Sequence, residues 1–171
     1  MFRSVRTLLG FFLLSAAATA ASAHGTPDFS GGWKLDNERS QPKRNGDITL
    51  RIGRHDPELT VETSISHNSA SSRHGVQKYT TDGNVTVSTG ADRDEFKTSA
   101  VWKDSGLLFS IEEQEDGHIL QSKETWSVIE DGTALKRMRE RPDGEKQTLF
   151  FRRLPQSCWD SKSGLIKAHD K

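Results

Sequence analysis

Residues 123–140 read KETWSVIEDGTALKRMRE, and this stretch decides the fold. Trp126 and Val128 alternate with polar residues before Asp131-Gly132, and Leu135 alternates with charged residues after it. Period two is the strand period, because successive side chains point to opposite faces. Asp-Gly between two such runs marks a tight hairpin, since glycine accepts the positive φ that the turn requires. With Asp131-Gly132 as a two-residue turn, Val128 faces Leu135, Trp126 faces Arg137 and Glu124 faces Arg139 across the ladder.

The same pattern continues outward in both directions. Ile48, Leu50 and Ile52 share one face, as do Leu59, Val61, Thr63 and Ile65. Val85 and Val87 mark a short strand, then come Phe96, Thr98, Ala100 and Trp102, and then Leu107, Phe109 and Ile111. Leu120 begins the long strand that carries Trp126, and Leu149 with Phe151 closes the series. The breaks have turn chemistry: Asp82-Gly83-Asn84, Asp104-Ser105-Gly106, Asp116-Gly117 and Pro142-Asp143-Gly144. About eight to ten strands joined by short loops predict a single all-β, up-and-down antiparallel barrel whose first and last strands pair. An open sheet would leave two edges and a bare face, and a sandwich needs longer crossings. Asp36 to Gln41 reads as one helical turn before Pro42, and residues 66–75, SHNSASSRHG, read as a mobile loop.

The start of the chain has the export pattern. Arg3 and Arg6 precede an apolar stretch from Thr7 to Ala21, and Ala21-Ser22-Ala23 is a small-residue cleavage site. Residues 1–23 are therefore expected to be a signal peptide cut between Ala23 and His24, with a periplasmic or extracellular product. The apolar stretch falls short of the roughly 20 residues that span a bilayer, which argues against a retained anchor. Residues 24–154 form the expected barrel domain, and 155–171 a polar C-terminal tail without alternation.

Lys and Arg number 24 and Asp and Glu 24 in the whole chain, so removal of Arg3 and Arg6 leaves a slightly acidic protein. That balance excludes a phosphate-neutralising surface, and alternation divides Lys136-Arg137-Met138-Arg139 between two faces, so no nucleic-acid partner is expected. The outward positions are too polar for an outer-membrane barrel. Cys158 is the sole cysteine, which rules out an intramolecular disulfide. The six histidines show no i, i+2 or i, i+4 pairing, and a copper brace at a newly exposed His24 would need a second inward histidine. No metal and no cofactor is expected. No nucleophile elbow, zinc-protease helix or phosphate loop occurs, and Glu112-Glu113 lie on opposite strand faces, so the chain reads as a non-enzyme.

Gly31-x-Trp33, within Phe29-Ser30-Gly31-Gly32-Trp33, resembles the G-x-W opening of the lipocalin-like (calycin) barrels. In that family the tryptophan closes one end of the barrel beneath an arginine of the last strand. The resemblance thus implies that Trp33 pairs with Arg152 or Arg153 of the closing LFFRR run. More widely, FSGGWKLDNERS, KYTTDG, KETWSVIEDGTAL and LFFRR resemble small exported bacterial lipocalin-like proteins, whose activities are mostly uncharacterised. The likeness runs from about Asp28 to Arg153 and implies a barrel without naming a reaction. Fatty-acid-binding relatives place two lid helices between their first strands, and Asp36 to Gly46 is too short for those.

Trp126, Val128 and Leu135 make their face the interior, so Arg137 and Arg139 point inward with Glu124 beside them. Arginine holds carboxylates and phosphates through paired N–H donors. Arg137 and Arg139 are the candidate anion holders, Glu124 orients them, and Trp126, Phe109, Leu149 and Phe151 are candidate apolar walls. The expected function is binding of a small, anionic and amphipathic ligand, with Arg137→Ala costing affinity but little stability. A register slip of one residue would send all three charges outside and leave only a structural pair. The alternatives are an envelope interaction module with a filled barrel, and an enzyme at the barrel mouth using Glu124 or His118.

Overall fold

The computed structural model describes residues 26–68, 71–89, 95–115 and 117–157. The export segment, the cut between Ala23 and His24, Cys158 and residues 158–171 of the tail lie outside them. The chain forms β1 (Gly31–Gln41), β2 (Asp47–His55), β3 (Glu58–Asn68), β4 (Ser71–Thr80) and β5 (Thr86–Thr89). It continues with β6 (Glu95–Lys103), β7 (Gly106–Glu115), β8 (His118–Ile129), β9 (Ala134–Glu140) and β10 (Lys146–Arg153). All ten belong to one antiparallel sheet in the order β4-β3-β2-β1-β10-β9-β8-β7-β6-β5. Each strand pairs with its neighbour in sequence, except at β4 and β5, and β10 returns to pair with β1. This is the up-and-down barrel that the turn spacing predicts, with a seam between β4 and β5. The seam is pinned near one end, where Thr81 N–H donates to Pro57 O at 2.8 Å and Gly83 N–H to Ala100 O at 2.9 Å.

The deciding hairpin has its expected register. Val128 lies opposite Leu135, Trp126 opposite Arg137 and Glu124 opposite Arg139. Asp131 and Gly132 take φ of 51° and 88°, and Thr133 N–H closes the turn onto Glu130 O at 3.0 Å. The positive φ at both central positions suits the right-handed twist of the flanking strands.

Two local expectations are corrected. Asp36 to Gln41 is not a helical turn but the second half of β1. Its ladder with β10 is interrupted between Asp36 and Gln41, and the buried Ser40 repairs the break. Ser40 Oγ accepts Phe150 N–H at 3.0 Å and donates to Asp36 O at 2.7 Å. Residues 66–75 are likewise no long loop, since β3 runs to Asn68 and β4 starts at Ser71. The small polar residues there are compatible with strand because this end of the barrel has no packed core to demand apolar side chains.

The packed core fills the other end. Phe29, Trp33, Leu50, Ile52, Leu59, Leu107, Leu135 and Phe151 are all but inaccessible to solvent. Phe29 stacks on Trp102 at 5.7 Å, and Phe109 leans on Trp126 at 4.7 Å. Trp33 donates its Nε1–H to Phe29 O at 2.9 Å. The arginine that covers Trp33 is Arg153, with its guanidinium carbon 4.2 Å from the ring centroid. Arg152, on the opposite strand face, is exposed and pairs with Asp36 at 3.4 Å. Arg153 also donates to Gly132 O, Ser30 O and Asp28 O at 2.6, 2.7 and 2.9 Å. Gly31 has φ +120°, and a Cβ there would lie 3.2 Å from Arg153 Nη1, so glycine serves both the backbone and the arginine.

Loss of three charge-assisted bonds and one cation–π contact predicts that Arg153→Ala lowers stability by about 3 kcal/mol. Arg153→Lys should recover less than half, because one ammonium cannot reach three separated carbonyls while lying flat on the indole. Urea unfolding of both variants checks this; a shift in Arg153→Ala below about 0.5 kcal/mol would contradict the plug.

Candidate functional site

The inward face of β8 passes from the core to the open end in four steps: Trp126, Glu124, Ser122 and Leu120. The first three are buried and Leu120 is 36% exposed, so the packed region gives way to open lumen along this strand. Glu124 sits at the transition. Its Oε1 accepts Trp126 Nε1–H at 2.6 Å and Arg137 Nε–H at 2.6 Å. Arg137 lies over the Trp126 ring at 4.4 Å and reaches toward Phe151 at 5.9 Å. The ladder sets Glu124 opposite Arg139, yet its hydrogen bond runs diagonally to Arg137. Arg139 instead turns to Ser122 Oγ at 3.2 Å and Glu113 Oε2 at 3.4 Å.

Arg137 is therefore only partly used. Its Nε is committed to Glu124, while Nη1 and Nη2 have no acceptor among the described residues. Among the described residues no buried side-chain nitrogen or oxygen lacks a partner, so these two nitrogens are open rather than entombed. Phe109, Trp126, Leu149 and Phe151, the expected walls, are all buried and pack together as the floor beneath the arginine. The half-buried Ile48 and Ile111 and the inward Leu120 lie above, toward the open end. Gly75, opposite Thr63 on the inward face, has nothing within 4 Å of the position a Cβ would take, so the lumen is open at that level.

Tyr79 is a site residue that alternation of apolar residues did not reveal. It faces inward because it pairs with the buried Leu59, and its ring meets Phe109 edge-on at 5.3 Å. Its hydroxyl donates to Gln77 Oε1 at 2.9 Å. Its place follows from the β3–β4 register, which sets Tyr79 beside Leu59 and which the polar run of residues 66–75 does not announce.

Electrostatics agree with this geometry. Burial opposes the charge on Glu124, but the Arg137 charge, the hydrogen bonds from Arg137 and Trp126, and the Arg139 charge outweigh it. The carboxyl is thus held below its ordinary value. Burial raises the Tyr79 phenol to about 12, with Arg137 pulling down, Glu124 pushing up and Arg139 pulling down. An ionised, doubly bonded Glu124 is an anchor and not a poised proton donor. His118 is exposed at the first position of β8, far along the strand from Glu124. Elsewhere, a cleft of about 480 Å³ at β7, β8 and the end of β9 is lined by Glu112, Lys123, Glu140 and Arg141, charges of both signs.

Two predictions follow from these charges. Glu124 contributes stability that is fully present above about pH 4.3 and is lost as pH falls through its lower folded-state value. Glu124→Gln should flatten that acid limb in urea titrations, and an unchanged limb would contradict the buried ion pair. Tyr79 is the sole tyrosine, so tyrosinate absorbance reports it alone. It should ionise near 12 in the native protein rather than about 10. Arg137→Ala should move it higher still, because a cation that favours the phenolate is removed.

No protein-family model matches the chain, and no curated relative does. Solved structures do. The chain is similar to secretory abundant heat soluble protein 4 of Ramazzottius varieornatus, with TM-score 0.59 and 11% identity over 77% of this chain and 97% of that one. It is similar to the fatty-acid-binding protein 1 of Echinococcus granulosus, with TM-score 0.55 and 11% identity over 74% and 98%. The fluorescent protein UnaG matches with TM-score 0.52 and 16% identity over 74% and 97%. At these identities the likeness shows a shared fold, the antiparallel up-and-down β-barrel.

Proposed function

We propose that the protein is an exported, non-enzymatic carrier that holds a small amphipathic carboxylate in its lumen. One observation carries this reading: Arg137 offers two Nη amino groups without a partner among the described residues, above a largely aromatic floor, inside a barrel open at the other end. Glu124 fixes the guanidinium by its Nε, which leaves the Nη pair free for a second, incoming carboxylate. The ligand tail would extend toward Ile111, Leu120 and Ile48, which face the open half of the barrel. The floor residues Phe109, Trp126, Leu149 and Phe151 set the depth. A fatty-acid-binding protein among the structural neighbours supports this ligand class. The export part rests on the pattern of residues 1–23.

The interaction-module reading has one observation in its favour. Val76, Val85 and Val87, on or beside the two seam strands, are exposed by 51–61%. Exposed valines at an unpaired edge suit strand addition by a partner.

The expected single variant needs revision in the light of the structure. Arg137→Ala would leave the buried Glu124 carboxylate unpaired, so stability would fall along with affinity. The cleaner test is Glu124→Gln with Arg137→Gln, which removes both charges together. Wild-type protein titrated with a long-chain fatty acid should bind at least tenfold more tightly than this double variant, since a hydrogen bond between charged groups contributes about 1.5–3 kcal/mol. Gly75→Trp, which fills open lumen, should abolish binding while the protein stays folded. Native mass spectrometry of protein isolated from its envelope reads the rest: a chain beginning at His24, carrying a mass that leaves on denaturation. Equal affinity in wild type and both variants would sink the carrier reading.

A further inference from the structure

The open end carries a second concentration of positive charge, separate from Arg137. Arg139 and Gln147 face each other across β9 and β10, Arg141 directly follows β9, and Arg44 arrives from the connection between β1 and β2. With Pro42 and Glu145 they line a cavity of about 150 Å³. Three guanidinium groups around one small polar space repel one another unless something negative sits among them. The counter-charge the protein supplies is incomplete. Glu145 Oε2 lies 3.9 Å from Arg141 Nη1, beyond hydrogen-bond range. Arg139 gives Nη2 to Glu113 and Nε to Ser122, so Nη1 has no acceptor among the described residues. The Arg44 guanidinium has no acidic partner among them either.

Arg44 is nonetheless held in place. Asn37 Oδ1 accepts the Arg44 backbone N–H at 2.7 Å, and Asn37 Nδ2 donates to the Arg44 carbonyl at 2.9 Å. This side chain imitates a neighbouring strand and pins an otherwise irregular connection at both polar groups of one residue. A two-point clamp on a residue whose charged end is unpaired is preorganisation without a visible beneficiary inside the protein.

We propose that this rim cavity binds a compact, multiply charged oxyanion, a phosphate group, through Arg44, Arg139 and Arg141. Three converging forks serve the several oxygens of a tetrahedral anion better than the two of a carboxylate. The Gln147 amide supplies a further polar contact, and the volume admits a phosphate with a few waters, each of which takes about 30 Å³. The phosphate can be free or the head of a larger amphipathic molecule. The site stands on its own residues and does not depend on the carboxylate site at Arg137.

The test is calorimetric titration of the barrel, starting at His24, with inorganic phosphate at constant ionic strength. Saturable binding should weaken at least fivefold in Arg44→Gln and in Arg141→Gln, and vanish in the double variant, with melting temperature unchanged. Asn37→Ala, which removes only the clamp, should weaken it by a smaller factor. Repeating the titration with decyl phosphate separates the sources. A gain of tenfold or more that disappears in Gly75→Trp identifies an amphipathic headgroup, and equal affinities identify a free anion; each supports the rim site. No saturable phosphate binding, or binding that Arg44→Gln with Arg141→Gln leaves intact, would overturn it. Fatty-acid affinity measured in the same Arg44 variant stays at the wild-type level, so failure of either site is read separately.

Discussion

Arg153 on Trp33 is the interaction on which the remaining structure depends. A sheet curled into a tube has two open ends, and a packed core requires that one of them be stopped. Arg153 reaches the carbonyls of Gly132, Ser30 and Asp28 while its plane covers the indole. One side chain thereby ties together the last strand, the turn between β8 and β9, and the segment that leads into β1. The segment before β1 lies 123 to 125 residues from Arg153, and the β1–β10 ladder that closes the sheet includes the Trp33–Arg153 pair itself. A guanidinium can do this because its donors radiate in one plane and its faces remain apolar enough to stack.

With one end stopped, the barrel does not need apolar residues along its whole length. Only 32% of the chain is hydrophobic, which is low for a domain packed from end to end. The buried apolar set is concentrated toward the Trp33 end, and β8 shows the change within its own length, exposed at its first four residues and alternately buried beyond. The charged pair Glu124–Arg137 lies at that boundary. A buried carboxylate is costly unless it is paired and hydrogen-bonded, and Glu124 is both. Its place there marks the level at which the packed floor gives way to the open half of the barrel.

Much of the fold was legible because turns and alternation agree. Asp131-Gly132 set the hairpin register, and the register set the faces of Glu124, Trp126, Arg137 and Arg139. What was not legible followed from residues with no apolar contrast. Residues 66–68 and 71–75 form strand at the open end, away from the packed core, so nothing in their polarity marks period two. Asp36 to Gln41 hides a ladder break that Ser40 repairs with its hydroxyl, a use of serine that composition does not announce. In the site, strand parity brings Glu124 and the arginines to one face, but the choice between Arg137 and Arg139 depends on side-chain reach along the diagonal. The arginine opposite Trp33 was likewise one of two, separated only by which face of β10 each occupies.

The charges along the lumen then follow a simple order. Among the described residues, Arg137 is matched by Glu124, Arg139 by Glu113 and Arg141, loosely, by Glu145, while Arg44 has no acidic partner. Matching does not silence an arginine, because a guanidinium has more donors than one carboxylate can use. It changes how the arginine recognises an anion. Where the carboxylate is buried and tight, as at Arg137, the local field is largely cancelled, and what remains is the geometry of two parallel N–H groups. On the proposed reading, recognition there would favour a planar head presented at the correct angle, and release would be easy because little net charge is gained. At the rim the pairing is looser and the field stronger, so affinity there should depend on ionic strength more than shape. If both proposed sites bind as argued, the same residue type would give a shape-selective contact deep in the barrel and a charge-selective one at its mouth, and the difference would lie in how tightly each partner glutamate is held.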